Sequence, residues 1–254
     1  LPFGGGLRFP SSVSEKNDGT GKVAIVTAAS RGIGASCART LHQRGYQLAV
    51  MSRTPAIQTL ATELGALAVV GSVSQADDLE RLVRETMKRY GRIDAVVNNS
   101  GHPEGGEITA IPDAQWQEVF EMYFLSVVRM SRLLVPVMSV QGGGAIVNIS
   151  GNSALEPDRR FPVADTIRAS LAAYTKLFAQ TYAEKAIRMN CVAPSVVFDH
   201  DSELVGEELK SELPMHRPAH YREVANVVAF LLSGEASYVT GETVRVDGGL
   251  SRGL

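Results

Sequence analysis

The sequence predicts an α/β fold: a doubly wound, seven-stranded parallel sheet with helices on both faces, in a single domain. Three observations carry this. Short β-branched runs alternate along the chain with longer amphipathic segments, the pattern of repeated strand–helix units. The runs are almost continuously apolar, as expected of parallel strands covered on both faces. The chain has 254 residues, 44% hydrophobic and 20% charged, enough for one substantial core and unlike a disordered or collagen-like chain.

The elements follow in order. VAIVTA from Val23 is the first strand, followed by a helix to Gly45; QLAVMSR is the second, with a helix to about Leu64. ALAVVGSV is the third, and Asp77 to Tyr90 its helix. IDAVVNNS then leads to a long helical stretch from Asp113 to about Met138, and GAIVNIS to a helix from about Pro162 to Glu184. IRMNCVAP is the sixth strand; an irregular stretch to about His220, the helix REVANVVAFLLS and a last strand ETVRVDGG complete the series. No repeat period, low-complexity tract or mid-chain linker interrupts it.

Charge and composition narrow the partners. Twenty-five basic against 27 acidic residues leave a formal charge of −2, too balanced for a phosphate-backbone binder or a polybasic membrane anchor. No apolar run approaches the roughly 20 residues that span a bilayer. The two cysteines, Cys37 in a helix and Cys191 in a strand, suit a reducing cytoplasm better than a disulfide framework. The five histidines lack metal-ligand spacing, so no metal is expected. Residues 1–21, rich in Gly, Pro and Ser, are expected to form a flexible N-terminal arm, trimmed or fused, before a domain over 22–254. That domain divides into two halves, about 22–112 and about 113–254.

The first strand runs through Thr27 into the turn carrying Ser30, Arg31, Gly32, Ile33 and Gly34, and then directly into a helix. A glycine-bearing turn at a helix start lets backbone N–H groups approach a pyrophosphate; a plain tight turn is the alternative. Together with Asn98-Asn99-Ser100-Gly101, Ile146 to Ser150, Ile187 to Pro194 and Val246 to Gly249, this order and spacing resembles the short-chain dehydrogenase/reductase superfamily from residue 22 onward. The resemblance implies a Rossmann-type fold and a nicotinamide dinucleotide site formed by Thr27, Ser30, Arg31, Gly32, Ile33, Gly34, Ser52, Arg53, Ser72, Val73, Asn99, Ser100, Gly101, Arg168, Pro194 and Val197. The family's first turn glycine is Ala28 here, one added methyl that the loop is expected to tolerate. An acid ending the second strand would favour NAD; here Ser52-Arg53 end it, and Arg31 stands nearby, so NADP(H) is expected over NAD(H). Ser72 replaces the family's adenine-site Asp.

The resemblance also implies an Asn-Ser-Tyr-Lys catalytic tetrad, and this chain lacks it. The four positions fall on Tyr123, Gly151, Ala164 and Arg168; the family's Pro-Gly becomes Pro194-Ser195 and its carboxamide-site Thr becomes Asp199. Replacement chemistry has several candidates. Asp165 stands beside the vacated Tyr position, as acid, base or cation stabiliser, or as a helix-dipole carboxylate. Tyr123 offers a phenol, or a core tyrosine. Ser150 and Ser153 flank the lost Ser position, and His102 lies where the family lines its substrate cavity. His200 shares the expected substrate loop with Asp199.

The expected function is an NADP(H)-dependent oxidoreductase with a non-standard site, acting on a small carbonyl, alcohol or imine/iminium substrate. A non-redox cyclase, isomerase or dehydratase with a structural dinucleotide is the first alternative, and a catalytically silent binding or regulatory homologue the second. The superfamily resemblance implies a homodimer or homotetramer, with Ala169, Leu171 and Ala172 offering a small apolar helix face.

Overall fold

The computed structural model describes residues 18–198 and 206–253. Seven parallel strands lie in the order β3-β2-β1-β4-β5-β6-β9: β1 Val23–Val26, β2 Gln47–Ser52, β3 Leu67–Val70, β4 Ala95–Asn98, β5 Gly144–Ile149, β6 Ile187–Pro194 and β9 Thr243–Val246. This is the single-domain doubly wound sheet that the alternating pattern implies. Helices α1 (Gly32–Gln43), α2 (Ile57–Leu64) and α8 (Tyr221–Leu232) close one face around Leu41, Val50, Leu60 and Val228. Helices α3 (Ala76–Tyr90), α5 (Ser126–Val140) and α6 (Pro162–Tyr182) close the other around Ile25, Met51, Leu82, Leu134 and Phe178. Strands buried on both faces need apolar residues at every position, and β1 and β4 are fully buried.

Strand β1 pairs with β2 on one side and β4 on the other. The chain therefore reverses its direction of winding there, and a crevice opens at the carboxyl ends of β1 and β4, the usual binding place in such sheets. Beneath it a buried polar ladder ties four elements: Asn98 Nδ2 donates to Asn148 Oδ1 at 2.9 Å, Asn148 Nδ2 to Thr175 Oγ1 at 3.0 Å, and Thr175 lies 3.2 Å from Cys191 Sγ.

Several expectations need correction. Residues 18–21 are not a free arm: Gly19 donates to the Arg44 carbonyl at 2.9 Å, and a Cβ at Gly19 would lie 2.1 Å from the Tyr46 ring, so this turn is packed onto the domain. The long helical stretch consists of α4 (Asp113–Phe120), one π-helical turn at Glu121–Leu125, and α5, which runs to Val140 through Pro136. Taken together, Asp113–Val140 is long and apolar enough to cross a bilayer, contrary to the run-by-run reading. Its inner face, with Val127, Met130, Leu134 and Met138, is packed in the domain core. The irregular stretch contains a two-stranded parallel pair, β7 (Val197–Phe198) with β8 (Ala219–His220), and the short α7 (Glu207–Glu212). Asp199 and His200 lie outside the described residues. Cys37 and Cys191 are fully buried free thiols, and burial pushes their pKa values up to about 12 and about 11.

Candidate active site

At the switch point one side chain ties two strand ends together. Thr27, just past β1, donates its hydroxyl to the Asn99 carbonyl at 2.6 Å and accepts the Asn99 N–H at 2.9 Å. Asn99 Nδ2 in turn donates to the Ala28 carbonyl at 3.2 Å, and Ala29 N–H to Met51 at 3.0 Å. The turn is closed so tightly that a Cβ at Gly34 would lie 2.5 Å from the Ala28 carbonyl and 2.7 Å from Asn99 Nδ2; only glycine fits. Gly32 has φ +59°, and so, more tellingly, Ala28 has φ +46°. The substitution at Ala28 is thus not a question of volume: the residue stands in the left-handed region that favours glycine. Arg31 caps α1 without any side-chain hydrogen bond, and no acid occupies the first turn, leaving a helix start suited to an anion.

Above the carboxyl ends of β4, β5 and β6 lies a cavity of about 1000 Å³. Ile33, Asn99, Ser100, Gly101 and His102 form one side, Ser150, Gly151, Ser153 and Arg168 the inner wall, and Pro194 to Val197 the other side. Thr27 is buried behind Asn99, while Ser30, Arg31, Gly32 and Gly34 form the turn beside the cavity rather than its lining. Arg53 is exposed, and its Nη2 reaches toward Gly101, 3.9 Å from where a Cβ there would stand. Neither Arg31 nor Arg53 has a side-chain hydrogen bond or ion pair among the described residues. Ser52 is buried and donates to the Thr54 carbonyl at 3.1 Å. The Ser72 N–H is taken by Asp78 Oδ2 at 2.9 Å, and Val73 lines a separate small hollow.

Arg168 organises the inner wall. Its Nη2 donates to the Tyr123 hydroxyl at 3.0 Å, and its guanidinium carbon stands 4.8 Å from the Tyr123 ring centre, a cation–π distance. Its Nη1 occupies the space where Gly151 would carry a side chain, 2.9 Å from an ideal Cβ. Its Nε is buried without a hydrogen-bond partner, as is the hydroxyl of Ser150, and both residues line the cavity. A buried polar group without a partner costs free energy, so each of these two groups calls for a partner, an ordered water or a ligand.

The other candidates sort differently. Tyr123, carried by the π-helical turn, does not face the cavity; Arg168 stands between, and the phenol lines the small hollow with Val73. Burial pushes its pKa up, with the Arg168 charge opposing. Asp165, 1% exposed, is not brought to the cavity wall. One carboxylate oxygen accepts the Ser153 hydroxyl and the other the Asp158 N–H at 2.8 Å, with Arg168 Nη1 at 3.9 Å. Asp165 therefore pins the segment after β5 to α6, and the Ser153 hydroxyl is already committed to it. His102 is exposed on the rim, its Nδ1 at 2.7 Å from the Pro103 carbonyl, which puts the ring proton on Nδ1; its ring meets Phe161 edge-on at 5.0 Å. Ala164 is buried among Val119, Tyr123 and Val163.

Sequence reasoning missed Tyr221, Glu156, Arg159, Arg160 and Arg252, all lining the cavity. The run Asp158-Arg159-Arg160 just before α6 was a local signal of charge near the site; Arg252 and Tyr221 are brought there only by the fold.

Residues 27–251 match the family described as Enoyl-(Acyl carrier protein) reductase. The chain belongs to the short-chain dehydrogenase/reductase superfamily. Among its relatives, human dehydrogenase/reductase SDR family member 4 is 34% identical over 257 aligned residues, 96% of this chain and 92% of the relative. The 3-oxoacyl-(acyl-carrier-protein) reductase of Staphylococcus aureus is 31% identical over 90% of this chain and 98% of its own. The crystal structure of L-sorbose reductase from Gluconobacter frateurii, complexed with NADPH and L-sorbose, superposes with a TM-score of 0.84 at 29% identity, covering 92% of this chain and 98% of that one. This superfamily member thus shares both the sheet and nearly its full length with reductases.

Proposed function

We propose that this protein is an NADP(H)-dependent oxidoreductase of the superfamily whose site holds the substrate's reacting group with Arg168 and Ser150 rather than with the usual tetrad. The observation that carries the reading is the Arg168 guanidinium, set into the space left by Gly151, bonded to Tyr123, with its Nε and the nearby Ser150 hydroxyl both buried and unpartnered. Tyr123, Gly151, Ala164 and Arg168 are the positions to which the resemblance assigns the tetrad.

The residues present fit a dinucleotide: the tight turn at Gly32 and Gly34, an uncapped α1 start, and the unpaired cations Arg31 and Arg53 at the end where no acid closes β2. When bound, NADPH supplies a hydride. Arg168 and Ser150 orient the substrate and stabilise negative charge developing on its oxygen. A guanidinium keeps its proton at all working pH values, so Arg168 acts through charge and hydrogen bonding, and Ala164 supplies no acid. Ordinary ketones, which need a proton delivered to the nascent alkoxide, are therefore poor substrates: a positioned acid is worth about 10²- to 10⁴-fold. An iminium carbon accepts hydride without that proton, at the cost of placing its own positive charge near Arg168.

Fluorescence titration tests the cofactor arm. NADPH is expected to bind more tightly than NADH, and Arg53→Ala to erase the difference; equal or reversed affinities in the parent protein refute it. A panel of carbonyl and iminium compounds followed at the nicotinamide absorbance tests the redox arm. Substrate conversion without an absorbance change would point to non-redox chemistry on the same fold. A homodimer or homotetramer belongs to the same reading, supported by Val140 and Leu177, apolar and 91% and 62% exposed on α5 and α6, and a cytoplasmic location is in keeping with the two buried free thiols.

A further inference from the structure

Away from the turn between β1 and α1, the cavity wall carries a group of guanidiniums. Four arginines line it, Arg159, Arg160, Arg168 and Arg252, against two carboxylates, Glu156 and Asp158; the chain as a whole is slightly acidic, at −2. Both carboxylates are engaged. Asp158 is forked by Arg160, with Nη2 at 2.6 Å and Nε at 2.9 Å. Glu156 Oε1 accepts the backbone N–H groups of Arg252 at 2.6 Å and Gly253 at 2.7 Å. Those two bonds clamp the C-terminal segment across the 152–161 segment and set Arg252 into the same wall as Arg159. Arg168, bonded to Tyr123, belongs to the reacting end of the site. The guanidiniums of Arg159 and Arg252 have no hydrogen bond or ion pair among the described residues.

We propose that this site takes substrates bearing an anionic group, a carboxylate or a phosphate, remote from the reacting carbon, and that Arg159 and Arg252 receive it. The statement rests on the oxidoreductase reading only for what happens at the reacting end; the anion subsite stands on the wall itself. Planar guanidinium forks match carboxylate and phosphate oxygens and make charge-assisted bonds. Both sit on backbone fixed by other contacts: the 152–161 segment by Asp165, the C-terminal segment by Glu156.

The test uses the NADPH-loaded protein and three matched probes: 4-oxopentanoate, its methyl ester, and 4-oxopentyl phosphate, each titrated by calorimetry at low and at raised sodium chloride. The carboxylate, the phosphate or both are expected to bind at least tenfold more tightly than the ester, with the advantage shrinking as salt rises; which anion binds better identifies the source. Arg159→Gln/Arg252→Gln should abolish the advantage while leaving ester and NADPH binding unchanged, since neither side chain supports the fold. Equal affinity for all three probes, no binding of any at millimolar concentration, or an advantage that survives the double variant overturns the proposal. Tight binding of an anionic probe with no nicotinamide oxidation across a wider anionic panel keeps the subsite and overturns the redox reading.

Discussion

At Ala28 residue identity and backbone are in tension, and at Gly151 residue identity and a neighbouring side chain are coupled. Ala28 holds φ +46° because Thr27 and Asn99 close the turn on either side of it. The left-handed conformation costs an alanine about 1–2 kcal/mol, while glycine gives back about 0.4–1 kcal/mol by loosening the unfolded chain. Ala28→Gly should therefore stabilise the protein by a net amount of up to about 1.6 kcal/mol, seen as a raised denaturation midpoint; a lowered midpoint would contradict it. Gly151 illustrates coupling. A side chain there would push aside the end of the Arg168 side chain, so Gly151→Ser alone should release the Arg168–Tyr123 bond at a modest cost in stability. Adding Arg168→Lys should recover part of the loss. A double-mutant cycle should read an interaction of about 0.5–3 kcal/mol, the range for residues in direct contact; simple additivity would show that the two positions do not share the space.

At the scale of elements, two helix starts hold the site's surroundings. Asp165 in the first turn of α6 accepts bonds from Ser153 and from the Asp158 backbone, and hydrogen bonds to a charged group are worth about 1.5–3 kcal/mol each. Asp165→Asn should lower the melting temperature and speed hydrogen exchange over residues 152–161. Loss of turnover with melting temperature and exchange unchanged would return Asp165 to a catalytic role. At the start of α8, Glu223 bonds back to the His220 N–H at 2.8 Å and to Arg217 at 2.7 Å, and the Arg217 guanidinium beside it holds its carboxyl down to about 2. A depressed carboxyl contributes stability that is complete above its ordinary value of about 4.5 and lost as pH falls toward about 2. Thermal melts of the protein and of Glu223→Gln should therefore differ at pH 6 and converge toward pH 2; a constant difference would contradict the linkage.

For the whole molecule, the proposed self-association has an altered basis. Leu171 is 2% exposed and belongs to the core, so it contributes nothing to an outer face, whereas Ala169 is exposed and Leu177 and Val140 protrude. A dimeric or tetrameric mass by light scattering at micromolar concentration is expected, and Leu177→Glu should shift it toward monomer. A monomeric mass for the parent protein would refute the assembly.

The sequence by itself determined the sheet, its strand ends to within about three residues, and the turn between β1 and α1, because burial on both faces and close chain approach leave a local record in residue type: apolar runs such as VAIV, and Gly34, where no Cβ fits. It also pointed to the positions 123, 151 and 168. What it left open was which way each side chain points and with whom it is paired. Asp165 looked free beside a vacant position, yet two groups seven and twelve residues earlier, Asp158 and Ser153, consume its carboxylate. Tyr123 looked like a phenol for the site, and Arg168 covers it. Arg252 joins Arg159 only because Glu156 takes two backbone N–H groups nearly a hundred residues further on. Such pairings between distant residues are set by packing, and the tertiary structure alone decides which polar groups are spent and which remain for a ligand.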